Sequence, residues 1–360
     1  MNFYCVIELA ALGYGITKTD LPDASADSNV KPRRVCFVDM GHSSYQVAIV
    51  EFVKGKLVVK GAACDRNLGG RDFDEVLVDH YIQEFKNKYK IDIETNAKAK
   101  FRLRGGCEKA KKVLSANAFT MLNIECIMND KDVSARIDRS DLESLAAPLF
   151  DRLRGPLENA LKASGFTIDD IDFVELLGGS TRIPAVKETL AKFFGGSLNG
   201  ENKLSTTLNQ DEAVSRGCAL QCAVISPVFK VRDFGIQDWN AYPIHLSWDP
   251  KLVPSKESVD AASSTTGQLE FFGLGEAVPK VKSLTFYRAL RDEELNANNG
   301  SLSFTIDAAY MDGGVGLPPA AGKIGSWTIT GIKKPDTPQL DPSKAKFVVK
   351  ARLSGNMILG

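Results

Sequence analysis

The chain has 360 residues, of which 45 are basic and 45 acidic, so its formal net charge is zero. This length allows two or more domains of about 100 to 200 residues. The balanced charge, with no Lys/Arg cluster interleaved with aromatic residues, argues against a nucleic-acid partner. No apolar run approaches the ~20 residues that span a bilayer, and the amino terminus has no basic leader. The seven cysteines lie among apolar neighbours, as reduced thiols do. We therefore expect a cytoplasmic protein with no membrane partner.

The first predicted element is a short helix tail. Residues 9–16 are apolar and small, and Gly13 or Gly15 is expected to end the helix. A polar loop from Lys18 to Arg33 follows. A helix tail with almost no helix before it is unusual.

A strand, a tight turn and a second strand follow, from Arg34 to Val50. Gly41 lets the backbone approach a bulky anion, while Ser43 and Ser44 can donate hydrogen bonds to phosphate oxygens. Asp39, at the end of the first strand, could face magnesium through water. An ordinary hairpin with a polar turn explains the pattern equally well.

A third strand is predicted from Leu57 to Cys64, and Gly69 and Gly70 then precede a helix. A pair of glycines before a helix is a weak signal for an anion site, and a simple strand-to-helix turn is the favoured interpretation.

The most helical part of the charged region 82–138 runs from Cys107 to Ser115. Its spacing predicts that Ala110, Val113 and Leu114 are buried. The polar side then holds Glu108, Lys111, Lys112 and Ser115, and from the residues alone a solvated face is favoured.

A long helix with an apolar stripe is predicted to begin at Ser140, which starts a capping box. Pro148 and Pro156 are expected to bend it or split it.

A second strand–turn–helix unit spans residues 172–194. Gly178, Gly179, Ser180 and Arg182 lie between a buried strand and a helix, which makes a credible nucleotide-contact loop. Residues 209–212 are predicted to cap a last helix, whose apolar side consists of Val214, Cys218, Cys222 and Ile225. Because no His or further Cys lies near Cys218 and Cys222, packing is favoured over metal binding.

After Ser226 and Pro227, period-two alternation replaces helical spacing, which predicts a separate all-β domain. The segment from Pro254 to Gln268 is predicted to be a mobile loop between strands.

Several of these motifs, in this order, resemble the seventy-kilodalton heat-shock chaperones. The residues that carry the resemblance are Asp39–Gly41, Gly69–Asp74, Glu108–Ser115, Gly178–Pro184 and Asn209–Ala213. Details such as Gly41-His42-Ser43-Ser44 are more similar to the larger, one-hundred-and-ten-kilodalton class, especially its fungal members. The likeness covers about residue 9 to the end.

The resemblance implies an α/β actin-like (ribonuclease-H-like) nucleotide-binding lobe followed by an all-β sandwich that binds peptides. The implied domains are a remnant at 1–32, the second lobe at 33–226 with an inserted subdomain at about 75–138, a linker at 227–238, and an incomplete β-sandwich at 239–360.

The resemblance also implies roles for single residues toward ATP or ADP and Mg²⁺. Asp39 would lie near the magnesium ion and the attacking water, as the one implied catalytic and metal contact. The phosphate contacts are Gly41, His42, Ser43, Ser44, Gly69 and Gly70. The ribose and adenine contacts are Glu108, Lys111, Lys112, Ser115, Gly178, Gly179, Ser180, Arg182 and Asp211.

Two departures from the family pattern shape the expected activity. His42, Ser43 and Ser44 stand where the standard chaperones have two glycines and a threonine. We therefore expect hydrolysis to be impaired more than nucleotide binding. The first lobe, with its catalytic lysine and acids, has no counterpart, which predicts a truncated chain or gene model.

The function implied by the resemblance is that of a nucleotide-exchange partner and holdase in protein folding and the stress response. Its partners would be a standard seventy-kilodalton chaperone and unfolded client polypeptides. The alternative is an actin-like small-molecule kinase, against which the β domain argues.

Overall fold

A computed structural model describes residues 4–23, 30–197, 200–229, 231–232, 234–249, 252–254, 267–289, 302–311, 322–332, 344–354 and 359. The chain divides into two compact units, Met1–Ile236 and Gln237–Gly360. No helix among the described residues combines the length and the apolar character that crossing a membrane requires. All six cysteines whose side chains are described are free thiols.

The first unit alternates strands and helices along the chain. Its elements are α1 (Tyr4–Thr17), β1 (Arg33–Met40), β2 (Tyr45–Val53), β3 (Lys56–Asp65), α2 (Gly70–Tyr89), α3 (Ala97–Leu114), β4 (Phe119–Met128), β5 (Lys131–Asp138), α4 (Arg139–Leu145), α5 (Ala147–Arg152), α6 (Arg154–Ser164), β6 (Phe173–Leu177), α7 (Pro184–Phe193), β7 (Leu204–Ser205) and α8 (Ala213–Ile225).

Five of these strands form one sheet in the order β3-β2-β1-β6-β7. β1 is antiparallel to β2 but parallel to β6, which in turn is parallel to β7. The carboxyl ends of β1 and β6 therefore lie at the same edge of the sheet, with Asp39 beside Leu177. This edge brings the first and the second predicted turn together.

Helices cover both faces of the sheet. On one face, Phe37 and Phe52 pack with Tyr14 of α1, at ring-centroid distances of 5.6 and 5.2 Å from that tyrosine. On the other face, alternate residues of β1 such as Val38 and Met40 join a core with α2, α3 and α6. Strand residues that alternate between two buried faces explain why the middle of β1 (Val35–Val38) and of β2 (Val47–Val50) is apolar at every position.

The prediction for α1 is wrong at both ends. The helix begins at Tyr4 and runs through Gly13 and Gly15 to Thr17, whose hydroxyl donates to the Gly13 carbonyl (2.8 Å). Gly15 serves close packing, because a Cβ there would lie 2.4 Å from the ring of Phe234. Residues 4–17 are therefore a packed helix of the first unit, and the glycines do not end it.

The proline prediction is confirmed, whereas the start of that helical region is shifted. The region is split into α4, α5 and α6, with Pro148 near the start of α5. The helix begins one residue earlier than predicted, at Arg139, and the amide of Asp138 donates to the Asp141 carboxylate (3.3 Å).

The predicted apolar side of α8 is exposed. Ala213 and Gly217 are buried, but Cys218 and Cys222 are exposed and Ile225 is 70% exposed. The reason is backbone packing: a Cβ on Gly217 would lie 1.9 Å from the Leu9 carbonyl oxygen, so α8 contacts α1 through its smallest residues. Side-chain hydropathy alone cannot indicate a contact of this kind.

The described part of the second unit consists of strands. They are β8 (Gly235–Trp239), which begins inside the first unit, β9 (Ile244–Trp248), β10 (Val253–Pro254), β11 (Gln268–Phe272), β12 (Ala277–Val278), β13 (Lys280–Ala289), β14 (Leu302–Tyr310), β15 (Lys323–Ile332) and β16 (Lys344–Leu353). β8 begins within residues 227–238, for which the sequence predicts a linker.

Two sheets build the second unit, with strand orders β10-β13-β16 and β11-β9-β14-β15. The predicted alternation is confirmed in β9 and β14, where Ile244, Leu246, Phe304 and Ile306 are buried. In β15 it is not, since Trp327 is 43% exposed. Most of the predicted mobile loop from Pro254 to Gln268, namely residues 255–266, lies outside the described residues.

Candidate functional site

The candidate site begins at the turn between β1 and β2. Met40 pairs with Tyr45, and the Gly41 amide donates to the Ser44 carbonyl (3.1 Å), so the predicted hairpin is confirmed. His42 and Ser43 are exposed, and within the described residues no backbone hydrogen bond uses their amides. A Cβ on Gly41 would meet no atom within 4 Å. The turn therefore combines two amides without a backbone partner, two hydroxyls and open space at Gly41.

Gly69 and Gly70 form the support beneath this turn. The Gly70 and Arg71 amides donate to the carbonyls of Gly41 and His42, both at 2.9 Å. A Cβ on Gly69 would lie 2.5 Å from the His42 carbonyl oxygen. The first amides of α2, which could otherwise bind an anion, are used by the turn. The strand-to-helix interpretation fits this geometry, and the glycines act through close approach.

The loop after β6 meets the same turn. Gly178 has φ +77°, and a Cβ there would lie 2.4 Å from the Met40 carbonyl oxygen and 2.6 Å from Asp39 Oδ1. Only glycine combines this conformation with so close an approach. Ser180 is buried and its hydroxyl donates to the Gly41 carbonyl (2.8 Å). Three glycine turns that are far apart in sequence therefore meet at one edge of the sheet.

We expect Ser180→Ala to lower the free energy of unfolding by about 1 kcal/mol, the usual net value of such a hydrogen bond. The Gly41 carbonyl keeps the Gly70 amide as a donor, so no orphaned group adds to the loss. Urea denaturation measures the change. Ser43→Ala is the matched control, because Ser43 is exposed and its loss should cost less than ~0.5 kcal/mol. Equal losses in the two variants would contradict the prediction.

Asp39 lies at the carboxyl end of β1, beside Gly178. Burial raises the pKa of its carboxyl group to about 6, because desolvation disfavours the charged form. A divalent cation would favour the ionised form, so this carboxylate suits a magnesium ion that is held mainly by phosphate oxygens and water. The described residues contain no cluster of three or more His, Cys, Asp or Glu that could hold a metal by itself.

Lys111 was predicted on the polar side of its helix but is buried, while Val113, predicted to be buried, is 38% exposed. The Lys111 ammonium donates to the Gly70 carbonyl (2.7 Å) and lies 2.8 Å from Asp74 Oδ1. These partners explain why α3 turns Lys111 inward and Val113 outward, opposite to the prediction. A lysine can be buried when a carboxylate and a carbonyl satisfy its ammonium group.

Asp74 is a residue that the sequence reasoning missed. It lies in the buried stripe of α2, between Phe73 and Leu77, and its side chain is 3% exposed. Burial raises the pKa of Asp74, and the Lys111 ammonium opposes this rise. A carboxylate inside an apolar stripe was the signal that could have identified it.

Glu108 and Lys112 lie on the outer side of the same helix. Their charged atoms are 2.6 Å apart, and Lys112 lowers the pKa of Glu108. Ser115 ends α3, with its hydroxyl near the Lys111 carbonyl (3.3 Å). Lys112 is 69% exposed and Glu108 43%. α3 therefore holds one buried residue against the turn and presents the other three predicted contacts at its end.

Arg182 and Asp211 pair beside the Gly178 loop. The Arg182 guanidinium donates to Asp211 Oδ2 (2.6 Å) and to Gln210 Oε1 (2.9 Å). A Cβ on Gly179 would lie 3.9 Å from Asp211 Oδ1. Gln210, which the sequence reasoning did not select, also accepts from the Gly178 amide (3.2 Å). The segment around Gln210 therefore belongs to the same site.

Hydrogen bonds join the β1–β2 turn to the start of α2 and to Ser180, and join the start of α2 to Lys111. The loop after β6 links this group to Arg182 and Asp211. Glu108, Lys112 and Ser115 are joined to it through α3. The assembly offers the amides and hydroxyls of exposed residues, which suit an anion, close to the Asp39 carboxylate.

Comparison with known proteins gives this arrangement a family. The family model described as Hsp70 protein matches residues 8–270. The chain is 45% identical to heat shock protein hsp88 of Neurospora crassa, over 92% of this chain and 42% of that protein. It is 43% identical to the 97 kDa heat shock protein of Strongylocentrotus purpuratus, over 97% of this chain and 35% of that protein. It is 45% identical to heat shock 70 kDa protein 4 of Homo sapiens, over 96% and 37%.

The chain thus spans 35–42% of the length of these relatives. The matches confirm the resemblance drawn from the sequence, and with it an actin-like α/β fold for the sheet and helices of the first unit. The chain belongs to the Hsp70 protein family.

Proposed function

We propose that the first unit contributes one wall of an ATP- or ADP-binding site in a cytoplasmic chaperone. The open space at Gly41 is the observation that carries the proposal. A Cβ on Gly69, Gly70 or Gly178 would clash with neighbouring protein atoms, and one on Gly179 would be in ordinary contact with Asp211. A side chain on Gly41, by contrast, would meet nothing within 4 Å. His42 and Ser43, next to this space, are exposed residues whose amides make no backbone hydrogen bond within the described residues. An anion such as a phosphate group fits there.

The other proposed contacts follow from their places around the turn. His42, Ser43 and Ser44 would hold the phosphates, while Gly69 and Gly70 keep the turn in position beneath them. Glu108, Lys112 and Ser115 at the end of α3 would hold the ribose and adenine, together with Gly179, Arg182 and Asp211. Bound Mg²⁺ would supply charge neutralisation at the phosphates, and Asp39 would orient water bound to it.

The test measures nucleotide binding to the 360-residue chain by titration calorimetry. We expect ADP to bind with a Kd on the order of 0.1–1 mM, since one wall buries less of a ligand than a closed pocket does. We expect no magnesium-dependent phosphate release above background. A Kd near ~10 µM together with steady ATP turnover would contradict the proposal that this chain binds nucleotide weakly and does not hydrolyse it.

Gly41→Ala tests the proposed phosphate contact without disturbing the fold. The added methyl group enters the open space, so we expect the variant to keep its stability but lose measurable ADP binding. Gly105→Ala is the matched control, because its methyl group also meets nothing within 4 Å but lies on α3 outside the proposed contacts. Equal ADP affinity in the two variants would place the nucleotide elsewhere.

At the level of the whole protein, we propose a nucleotide-exchange partner and holdase for a standard seventy-kilodalton chaperone, acting on unfolded client polypeptides. The two sheets of the second unit, with buried alternate residues in β9 and β14, support a β-sandwich, and the proposal assigns peptide binding to it. The heat-shock relatives give no support to the small-molecule kinase alternative. The rate of fluorescent ADP release from a standard chaperone, with and without this protein, tests the exchange role.

A further inference from the structure

Glu175 is a buried carboxylate that the candidate nucleotide site does not use. It lies in the middle of β6, is 0% exposed and has Val174 and Leu176 as buried neighbours. No Lys, Arg or His among the described residues contacts its oxygens closely enough to form an ion pair. Because burying a carboxylate without a cation is costly, an aliphatic residue would serve the stability of this strand better. The reason for Glu175 must therefore lie in the contacts that it makes.

Both carboxylate oxygens accept hydrogen bonds from one short segment. The Leu208 amide donates to Oε1 (2.7 Å), and the Thr207 hydroxyl donates to Oε2 (3.1 Å). This segment follows β7, which pairs with β6 through only two residues, Leu204 and Ser205. Backbone pairing thus ends just before Thr207, and Glu175 continues the attachment with its side chain.

Residues 209–213 lie directly after this attachment and carry the contacts to the Gly178 loop. Gln210 accepts from the Gly178 amide through its carbonyl (3.2 Å) and donates to Thr181 Oγ1 (3.0 Å). Asp211 accepts from Arg182 (2.6 Å). The Asn209 carbonyl then accepts from the Ala213 amide (2.8 Å), which starts α8. Gln210 and Asp211 thus lie two and three residues beyond Leu208, the last residue that Glu175 contacts.

We propose that Glu175 is a positioning residue, which fixes residues 207–211 against β6 and so holds Gln210 and Asp211 in place beside Gly178 and Arg182. The proposal rests on the proposed nucleotide-binding function, because Gly179, Arg182 and Asp211 are the contacts that it arranges. Glu175 itself is buried behind the loop and touches no ligand.

The test compares Glu175→Leu and Glu175→Gln in the 360-residue chain. Leu removes both acceptors. Gln keeps one oxygen for the Leu208 amide and can donate its NH₂ group to the Thr207 hydroxyl, which also accepts. Amide hydrogen exchange is read at residues 208–213 and, for comparison, in β1 and β2, and ADP affinity is measured in parallel.

We expect Glu175→Leu to exchange at least about tenfold faster at residues 208–213, as the loss of two hydrogen bonds implies, with β1 and β2 little changed. Glu175→Gln should restore most of the protection. ADP affinity should fall in the Glu175→Leu variant and return close to the wild-type value in the Glu175→Gln variant. Faster exchange that is equal across 208–213, β1 and β2 would show a merely structural role and overturn the proposal.

Thr207→Val serves if Glu175→Leu does not fold. This variant removes one hydroxyl from a residue that is itself exposed, and we expect about fivefold faster exchange, confined to residues 208–213. Exchange equal to that of the wild type would overturn the proposal. If the wild type binds no ADP, the proposed function fails, while the exchange measurements still decide the role of Glu175.

Discussion

Lys111→Met is expected to lower the free energy of unfolding by about 3–5 kcal/mol, the range found when one partner of a buried ion pair is removed. The variant leaves the Asp74 carboxylate, 3% exposed, without its ammonium partner, and the Gly70 carbonyl loses a donor. Equilibrium unfolding in urea at pH 7.5 measures the loss.

Two controls identify the cause. Lys112→Met changes the neighbouring residue of α3, whose side chain is 69% exposed and pairs with Glu108 at the surface, so less than ~0.5 kcal/mol should be lost. Asp74→Asn added to Lys111→Met should recover most of the stability, because no unpaired charge remains buried. If the double variant is as unstable as the single one, packing and not charge is responsible.

The Lys111→Met penalty should also depend on pH. Burial raises the pKa of Asp74, and Lys111 opposes this rise, so removing the lysine raises that pKa further. A folded-state pKa above the unfolded value favours folding at low pH, and this advantage is lost as the pH rises through the folded value. The penalty should therefore shrink as the solution is acidified, and a penalty that is constant with pH would contradict this account.

Asp39→Asn is expected to stabilise the chain, by about 3 kcal/mol above pH 7. Burial raises the pKa of Asp39 from 3.8 to about 6, and a difference of about two pKa units corresponds to about 3 kcal/mol. Because the folded pKa is the higher one, the ionised carboxylate costs stability above that value and the neutral amide does not. A site residue kept at the expense of stability is common where function requires a charge.

The sign of this effect follows from linkage. The gain of Asp39→Asn should be full above pH 7 and fall to about 1 kcal/mol by pH 4.5, as wild-type Asp39 takes up its proton. Urea unfolding from pH 4.5 to 8 measures this, and NMR titration of the Asp39 carboxyl carbon should show its midpoint near pH 6. Asp79→Asn, at an exposed position of α2, is the control and should change stability by less than ~0.5 kcal/mol. A gain that does not vary with pH would contradict the assignment.

Local sequence patterns predicted the elements whose residues face one environment along their whole length. β1, β2 and β6 are largely apolar and are each followed by a glycine turn, and their bounds agree with prediction within three residues. The glycines and hydroxyls of the turns also marked the edge where the candidate site lies. Fold class and the approximate place of the site follow from this information alone.

The errors occurred where a contact with another element decided the outcome. Lys111 is buried because Asp74 and the Gly70 carbonyl lie within reach. Gly13 and Gly15 continue α1, and the apolar side of α8 is exposed because Gly217 packs its backbone against Leu9. Helical periodicity describes one helix at a time, so it cannot register a partner that comes from a distant part of the chain.

The sequence by itself determined the strands and helices that flank the three glycine turns and the change to β structure after residue 227, because each depends on neighbouring residues. Only the tertiary structure decided that the amides of Gly70 and Arg71 serve the hairpin turn and not a ligand, and that Glu175 accepts hydrogen bonds from Thr207 and Leu208. These outcomes depend on which buried polar groups meet, and every such group must find a partner when the elements pack together.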